Sequence, residues 1–360
     1  MKKYILGIET SCDDTSAAIL KTSENKTEVL AHMKFGQEES LAKWGGVVPE
    51  IAARNHLEKI TPLLEAVFEK AQVSPQELEA IAVTTLPGLL GPLLTGVNAA
   101  KTLALLFEKP IVPINHLYAH LEAIHLTEKV SYPYLGLLVS GGHSIFFWVE
   151  SATDFKVLGS TIDDAAGEAF DKGGKILGLG YPAGHLIDKC ASFGNKDKFE
   201  FPIGLKASAD CRMSFSGLKT ALRVFCEKHP EILEKKPTQL EKFEAQSQEF
   251  YDLCASYQSA IVKALLLKAR YAIKVAPNFI PNKTSIVIGG GVACNSLIRS
   301  EFKQKYPQTL IVAPEFCTDN GAMIANYGLR NLDQAIAHPQ CLEIDARGRY
   351  LKKGENGQAS

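Results

Sequence analysis

The chain has 360 residues, of which 46% are hydrophobic and 22% charged, and its formal net charge is -1. This length predicts two or three packed domains, and the composition is typical of a globular protein and excludes a disordered one. The near-zero charge argues against a protein that grips nucleic acid with its whole surface, and leaves open a local basic patch or a partner's surface.

The first third of the chain predicts three strands followed by a long helix. The β-prone runs are KYILGIE, TSAAILKT and TEVLAHMKF, and the helical run after them is PEIAARNHLEKITPLLEAVFEKA. The same succession of strands returns in YLGLLVS, HSIFFWVE and DFKVLGST. We therefore expect an internal duplication.

The remaining segments alternate between strand and helix patterns. AIAVTTL, TSIVIGG and TLIVAPE predict strands, and helices are expected from about 163 to 195 and in a charged insert from roughly 230 to 275. This alternation predicts an α/β fold with a final helix after the last strand. The tail RGRYLKKGENGQAS has little to bury and is expected to be mobile.

The chain carries no evident targeting signal. Its N-terminus resembles a first strand more than a signal peptide, and no apolar stretch approaches the roughly 18 residues of a membrane span. The eight cysteines are scattered without a C-x-x-C pair, as expected of reduced thiols. A cytoplasmic protein without a membrane partner is the expectation.

Two hairpin turns occupy the same place in the two proposed halves. They are ETSCDDTS and VSGGHS, and their small residues allow backbone N–H groups to approach an anion closely, although each is also ordinary chemistry for a tight turn. The glycine run of IVIGGGVACNS offers bare backbone and Asn295 to an adenine. Its spacing is not G-x-G-x-x-G, so no dinucleotide is inferred.

Acidic residues line the predicted helix DDAAGEAFDKGGKILGL. Asp164, Glu168 and Asp171 share one face, which is either a solvated acidic surface or a set of acceptors for ribose hydroxyls. In the turn that follows, Gly184 would allow a ligand to approach closely, and Asp188 lies one turn further on.

The run INHLYAHL suggests a metal site. His116 and His120 are four residues apart on a helix that begins near Asn115, so two ring nitrogens can meet one cation. Asp319, where a strand passes into a helix, offers a third ligand, and the alternative for it is a helix N-cap. Two imidazoles and a carboxylate suit Fe(II) or Zn(II) used as a Lewis acid. Because the Glu of H-E-x-x-H is absent, a metalloprotease is disfavoured.

These motifs, in this order, resemble the threonylcarbamoyl-transferase family of tRNA modification, once called O-sialoglycoprotein endopeptidases. The matching motifs lie between about residues 4 and 328: GIETSCDDTS, GGVVPEIAARNHLE, NHLYAHL, LVSGGHS, DDAAGEAFDK, GLGYPAG, SFSGLKTA, GGGVACN and TDNGAMIA. The resemblance implies a duplicated actin/Hsp70/sugar-kinase-like (ribonuclease H-like) α/β fold, with two lobes around a nucleotide cleft. We expect an N-terminal lobe at 1–115, a C-terminal lobe at 116–335 with a helical insertion around 190–275, and a tail at 336–360.

The resemblance also implies roles for particular residues. His116, His120 and Asp319 would hold one Fe2+ or Zn2+ per subunit. Threonylcarbamoyl-adenylate would be bound by Val139, Ser140, Gly141, Gly142, His143, Asp171, Gly184, Asp188 and Asn295. Asp13 and Asp14 are candidates for positioning or proton transfer.

The implied activity is transfer of the threonylcarbamoyl group, with release of AMP, to the N6 amine of the adenosine beside the anticodon in tRNAs that read codons beginning with A. The implied protein partners are a shorter paralogue and a small P-loop ATPase. For RNA contact, the best local basic cluster is Lys206, Arg212, Lys219 and Arg223, which a solvated helix face explains almost as well.

Two departures and two alternatives accompany this interpretation. Asp14 stands where bacterial relatives usually have Glu, and Ala183 stands where the family usually has Gly, so a positive φ there would strain the turn. The alternatives are a small-molecule or sugar kinase of the same superfamily, which needs no two-His, one-Asp metal group, and a non-catalytic scaffold paralogue.

Overall fold

The structure is a computed structural model that describes residues 2–23, 26–37, 41, 44, 46–240 and 242–348. The chain forms two compact units: unit 1 is Met1–Leu126 with Asp319–Ser360, and unit 2 is Thr127–Thr318. These unit boundaries differ from the expected lobe boundaries, which lie between residues 115 and 116 and between residues 335 and 336. The two expected lobes remain a prediction.

Each unit is built around one five-stranded sheet. The strands of unit 1 are Lys3–Glu9 (β1), Asp14–Ser23 (β2), Lys26–Gly36 (β3), Leu78–Leu86 (β4) and Ile111–Asn115 (β5). The strands of unit 2 are Tyr134–Val139 (β6), Ser144–Val149 (β7), Phe155–Ser160 (β8), Ile286–Gly289 (β9) and Thr309–Ile311 (β10). The strand orders are β3-β2-β1-β4-β5 and β8-β7-β6-β9-β10.

The two sheets therefore share one topology. In each, three consecutive strands form an antiparallel meander, and the two later strands add in parallel on the other side of the first strand. This repetition confirms the predicted duplicated α/β fold. The run Ile111–Asn115, which the sequence pattern does not assign, is a strand at the edge of its sheet, where Pro113 removes no needed hydrogen bond.

Helices surround the two sheets. In chain order they are Pro49–Ala71 (α1), Leu90–Phe107 (α2), His116–Glu122 (α3), Ala166–Ile176 (α4), Gly184–Ala191 (α5), Ser216–Lys228 (α6), Pro230–Glu234 (α7), Gln248–Val275 (α8), Ser296–Lys305 (α9), Pro314–Cys317 (α10) and Gly321–Arg330 (α11). α1 has the predicted bounds, and Pro49 suits its first turn because the N–H that proline lacks would have no partner there. α4, α5 and α8 confirm the helices expected after the second meander.

Within the described part of the chain, α2 is long and apolar enough to cross a membrane by length and composition. The expectation that no apolar stretch approaches that length is therefore wrong. Only a third of the residues of α2 are buried. The helix nevertheless packs on the core of unit 1, to which it contributes Leu93, Val97, Ala100 and Ala104 at helical spacing. A core helix of a globular protein can have the length and hydropathy of a membrane span.

A close approach of backbone fixes α11 on β1. A Cβ at Gly7 would lie 2.3 Å from the Gly321 oxygen and 2.4 Å from the Ala325 nitrogen, so only glycine at position 7 permits this packing. Asp319 lies two residues before α11, and its position depends on this contact.

Part of the predicted tail packs on unit 1. Ile344 and Ala346 belong to its core, and the Arg347 N–H donates to the Thr85 oxygen at 2.8 Å. Arg347 and Gly348, which were expected to be mobile, are thus placed by hydrogen bonds to the residues around β4. Residues 349–360 of the predicted tail lie outside the described residues.

Candidate metal centre and ligand loops

α3 presents the two histidines side by side. Asn115 is its N-cap, as predicted, with its Oδ1 accepting from the Leu117 N–H at 2.9 Å and the Tyr118 N–H at 3.4 Å. Both imidazoles are buried, His116 with 8% and His120 with 1% of its surface exposed.

Asp319 reaches this pair. Its Oδ1 lies 3.1 Å from His120 Nε2 and 3.5 Å from His116 Nε2, and the two Nε2 atoms are 3.2 Å apart. Ligand atoms that lie about 2.1 Å from one ion, at octahedral to tetrahedral angles, are about 3.0–3.4 Å apart. The triangle therefore has the dimensions of a metal site, and these residues form a group that could hold an ion.

Glu9, at the end of β1, orients His116. Its Oε2 lies 2.9 Å from His116 Nδ1 and accepts from the Thr84 hydroxyl at 2.6 Å, while Oε1 accepts from the Ser11 N–H at 2.5 Å. A carboxylate on Nδ1 keeps the proton there, so that Nε2 faces the other ligands with its lone pair. Sequence reasoning missed Glu9, although a carboxylate that ends a buried strand was the available signal.

The charges of this cluster suit a cation. Burial opposes protonation of His116, but Asp319 and Glu9 outweigh it and raise the pKa of His116 to about 9. Burial and the neighbouring His116 lower the pKa of His120. Against burial, His116 and His120 hold the pKa of Asp319 well below its ordinary value. The buried Glu9 carboxylate and the partly buried Asp319 carboxylate thus share one imidazolium, and a divalent ion could take its place.

The turn from β1 to β2 brings Asp13 and Asp14, the first residue of β2, to the same place. Ligand oxygens of Asp13, Asp14 and Asp319 all lie within 4.8 Å of one another. Lys34 Nζ lies 2.5 Å from Asp14 Oδ2. Burial raises the pKa of Asp14 to about 7, with Lys34 opposing and Asp319 adding to the effect. The two predicted catalytic carboxylates therefore lie beside the candidate metal group of His116, His120 and Asp319.

His56 of α1 holds this loop in position. Its Nδ1 is 2.7 Å from the Thr15 hydroxyl and its Nε2 is 3.0 Å from the Cys12 carbonyl oxygen. The imidazole is fully buried and spans both ends of the Asp13–Asp14 turn. His56 was also not singled out from the sequence.

In unit 2, the predicted glycine loop is a tight turn between β6 and β7. The Ser140 N–H donates to the His143 oxygen at 2.8 Å, and the His143 N–H donates to Ser140 Oγ at 3.2 Å. Gly141 and Gly142 are exposed, with no atom within 4 Å of an added Cβ. Val139 is buried, and its carbonyl oxygen would lie 2.4 Å from a Cβ at Gly290, so the two ligand loops approach each other closely.

The other predicted ligand residues of unit 2 are engaged at helix starts. Asp171 Oδ1 accepts from the Ala183 N–H at 2.9 Å just before α5. Ala183 has a φ of -107°, so the expected strain at this departure from the family pattern is absent. Gly184 has room for a Cβ, which would lie 3.7 Å from Phe170 Cβ.

Gln258 of α8 connects Asp188 to Asn295. Its Nε2 donates to Asp188 Oδ1 at 3.0 Å, and its Oε1 accepts from Asn295 Nδ2 at 2.7 Å. Asn295 Oδ1 also caps α9 through the Ile298 N–H at 3.0 Å, and Asp188 accepts from Ser296. The structure thus joins two predicted ligand residues through Gln258, a residue that sequence reasoning missed.

The predicted basic cluster is largely paired with acids. Lys219 Nζ is 3.2 Å from Asp164, and Arg212 is 2.8 Å from Asp210. Arg223 is 3.9 Å from Glu227. This pairing favours the solvated helix face over a phosphate-binding patch, since much of the positive charge is neutralised.

These observations describe a duplicated α/β protein of the actin-like ATPase fold with a two-histidine, one-aspartate group that could hold a metal ion. Component A of the (R)-2-hydroxyglutaryl-CoA dehydratase of Acidaminococcus fermentans has a similar fold. The match has a TM-score of 0.50 and 17% sequence identity, and it covers 91% of this chain and 99% of that one. A family model described as tRNA N6-adenosine threonylcarbamoyltransferase matches residues 28–326. The chain belongs to that family.

Curated relatives agree with this assignment. A protein of Anaeromyxobacter sp. named tRNA N6-adenosine threonylcarbamoyltransferase is 46% identical over 90% of this chain and 93% of its own length. One of the same name from Methylorubrum extorquens is 41% identical over 96% of this chain and 97% of its own. The resemblance found in the sequence motifs is thereby confirmed.

Proposed function

We propose that this protein transfers a threonylcarbamoyl group to the N6 amine of an adenosine in tRNA. Membership of the family supports the reaction, and the observation that carries the site assignment is the convergence of His116, His120 and Asp319 to within 3.1–3.5 Å. The donor we propose is threonylcarbamoyl-adenylate, and the acceptor is the adenosine beside the anticodon in tRNAs that read codons beginning with A.

The metal group fits an iron or zinc ion, because it combines two imidazole nitrogens and a carboxylate oxygen at suitable separations. When bound, such an ion supplies a Lewis acid that polarises a carbonyl oxygen. Glu9 fixes the tautomer and direction of His116, and His56 fixes the loop that carries the two carboxylates.

The transfer requires a new N–C bond between the amine and the carbamoyl carbon, cleavage of the C–O bond to the AMP phosphate, and removal of one proton from the amine. Asp14 suits that last task, since a pKa of about 7 matches a general base that works near neutrality. In unit 2, the Ser140–His143 turn and the Asp188–Gln258–Asn295 network are the proposed adenylate-binding elements.

The test is reconstitution with purified components. Protein, unmodified tRNA, ATP, threonine, bicarbonate and a synthase for the adenylate are incubated with and without a shorter paralogue and a small P-loop ATPase. Nucleoside mass analysis should detect threonylcarbamoyladenosine with the wild type and none with His116→Ala or Asp319→Ala.

His229→Ala is the matched control, because His229 is exposed in unit 2, where its Nδ1 lies 3.3 Å from exposed Glu231 and its ring centroid lies 4.7 Å from that of Phe225. Metal analysis of the same samples distinguishes the proposed transferase from a kinase, because a kinase has no need of tightly bound iron or zinc. Full activity in Asp319→Ala would contradict the metal role.

A further inference from the structure

One segment of unit 2 is almost without acidic residues. Between Asp252 and Glu315, Glu301 is the only Asp or Glu, whereas eight residues are Lys or Arg. The segment spans most of α8 and all of α9, β9 and β10. Its eight positive charges stand against one negative in a chain whose net charge is -1, so positive charge is concentrated here.

Three of these eight cations have partners within unit 2. The buried Lys268 donates to three backbone oxygens of the segment 205–210. Lys263 lies 2.9 Å from Asp197, and Arg299 donates to a backbone oxygen at 2.7 Å. The other five are exposed, and no carboxylate oxygen lies within 4.0 Å of them in the described part of the chain: Arg270, Lys274, Lys283, Lys303 and Lys305.

The exposed cations lie at one edge of the unit 2 sheet. α8 and α9 pack against each other, and their last turns hold three of the five. Lys283 lies three residues before Ile286 of β9, whose N–H donates to the Gln308 oxygen at 3.4 Å. Gln308 in turn lies three residues after Lys305. The cations therefore meet where the parallel strands β9 and β10 begin.

Two half-buried tyrosines lie among these cations. The Arg270 guanidinium carbon and Lys274 Nζ are 5.2 Å and 5.8 Å from the centroid of the Tyr271 ring. Lys305 Nζ is 5.8 Å from that of Tyr306. Aromatic faces beside exposed cations are typical of surfaces that bind nucleic acid.

Helix dipoles account for only part of this arrangement. A helix dipole stabilises cations in the last turn, which suits Lys274, Lys303 and Lys305. Arg270 lies more than one turn before the end of α8, and Lys283 lies in no helix. The lack of acids also leaves like charges to repel each other, which costs stability unless a polyanion binds.

We propose that these five residues form a cationic face that binds the phosphate backbone of RNA. The proposal rests on the proposed function, which supplies tRNA as the substrate. Unpaired Lys and Arg gain affinity by releasing the counterions of phosphates, whereas cations already paired with acids gain little. β9 runs from this face to the glycine loop proposed to meet the adenylate, so the face holds RNA away from the modified adenosine.

The test titrates the full chain with an unmodified tRNA transcript, followed by fluorescence anisotropy at about 50 to 200 mM salt. Arg270→Gln/Lys274→Gln removes two unpaired cations of α8 and keeps good helix formers there. We expect tRNA binding to weaken at least about tenfold, and the slope of log affinity against log salt to fall by about 1–2. The urea midpoint should match that of the wild type.

Arg223→Gln/Lys263→Gln is the matched control, because it removes the same charge from exposed helix positions of unit 2. Each of its residues pairs with an acid, Arg223 with Glu227 at 3.9 Å and Lys263 with Asp197 at 2.9 Å. Its affinity for tRNA should stay within about twofold of the wild type. An equal loss in both double variants, or no loss in Arg270→Gln/Lys274→Gln, would overturn the proposal.

Poly-glutamate in place of tRNA tests for an acidic protein partner. If Arg270→Gln/Lys274→Gln loses affinity for poly-glutamate and keeps that for tRNA, the cationic face serves such a partner and the RNA proposal is wrong. In the reconstituted reaction, the loss should fall on KM for tRNA rather than on kcat, since a distant phosphate contact stabilises ground and transition states alike. A wild type that modifies no tRNA would refute the proposed function, whereas the titrations test the cationic face independently.

Discussion

At the scale of single residues, the Glu9 carboxylate orients the His116 imidazole. Its carboxylate is fully buried and holds the imidazole through Nδ1 at 2.9 Å. Carboxylates in this relation to a ligand histidine typically raise metal affinity by one to two orders of magnitude.

Glu9→Gln should therefore weaken Zn2+ or Fe2+ binding by about 10–100-fold, because the amide keeps the shape but loses the charge. Competition with a chelator of known affinity measures this without any enzymatic assay. Glu79→Gln is the control, since Glu79 lies on β4 in the same unit and makes an exposed ion pair with Lys3. Equal affinities for the two variants would argue against the orienting role.

His125 makes unit 1 sensitive to acid. Burial lowers the pKa of His125 to about 4, with Glu122 opposing and Arg330 adding to the effect. In the unfolded chain the imidazole titrates near pH 6.5, so below that pH the unfolded state binds the extra proton. The contribution of neutral His125 to the free energy of unfolding is therefore complete above pH 6.5 and is lost as the pH falls toward 4.

His125→Gln should remove this dependence. Between pH 7.5 and 4.5 the wild type is expected to lose roughly 2–3 kcal/mol more of its free energy of unfolding than the variant, as measured by urea titration at both pH values. Parallel losses in the two proteins would show that His125 is not the acid-sensitive group.

At the scale of elements, the contact between β1 and α11 should link the stability of unit 1 to the candidate metal site. Gly7→Ala would place a Cβ 2.3 Å from the Gly321 oxygen, so α11 must move. We expect a loss of roughly 1–3 kcal/mol in unfolding free energy, together with weaker metal binding, because Asp319 precedes α11.

Gly217→Ala is the matched control for this substitution. Gly217 lies in α6, and no atom is within 4 Å of an added Cβ. That variant should be neutral or slightly stabilising, since alanine favours a helix more than glycine does. Gly7→Ala with wild-type stability and metal affinity would mean that the helix accommodates the methyl group without moving Asp319.

Most of the elements follow from the sequence because their signals are local. The strands β1–β3 and β6–β8 show runs of β-prone residues bounded by turn residues, and α1 has a proline start and a helical apolar period. β5 is not predicted from the sequence pattern because it is short and contains Pro113. Its strand structure depends on pairing with β4.

The candidate site is predictable in part. His116 and His120 are neighbours through helical spacing alone, whereas the position of Asp319 depends on the packing of α11, and its place between a strand and a helix was the sequence signal for it. Glu9, His56 and Gln258 act through partners 37 to 107 residues away in the chain. Apart from the carboxylate at the end of β1, such pairings leave no local signal.

At the scale of the whole molecule, the metal group should couple ion binding to folding. A ligand that binds the folded state alone stabilises it by about 2.7 kcal/mol at a concentration 100 times its dissociation constant. Protein stripped by a chelator should therefore unfold at a lower temperature, and added Zn2+ or Fe2+ should restore the midpoint in a concentration-dependent way.

The same titration on His120→Ala should show no such recovery, because His120 Nε2 contacts both other ligands. Thr102→Ala is a control in unit 1, since its exposed hydroxyl donates to the Asn98 oxygen within α2. A metal-dependent midpoint that persists in His120→Ala would place the responsible ion elsewhere.

Unit 1 is assembled from both ends of the chain, with unit 2 inserted between Leu126 and Asp319. During synthesis the ribosome therefore delivers two histidines early and their carboxylate partner only after every residue of unit 2 has emerged. A prematurely terminated product, however well its second sheet folds, would lack the third ligand. Under the proposed ligand set, a tightly bound ion would therefore show that translation of a molecule had passed Asp319.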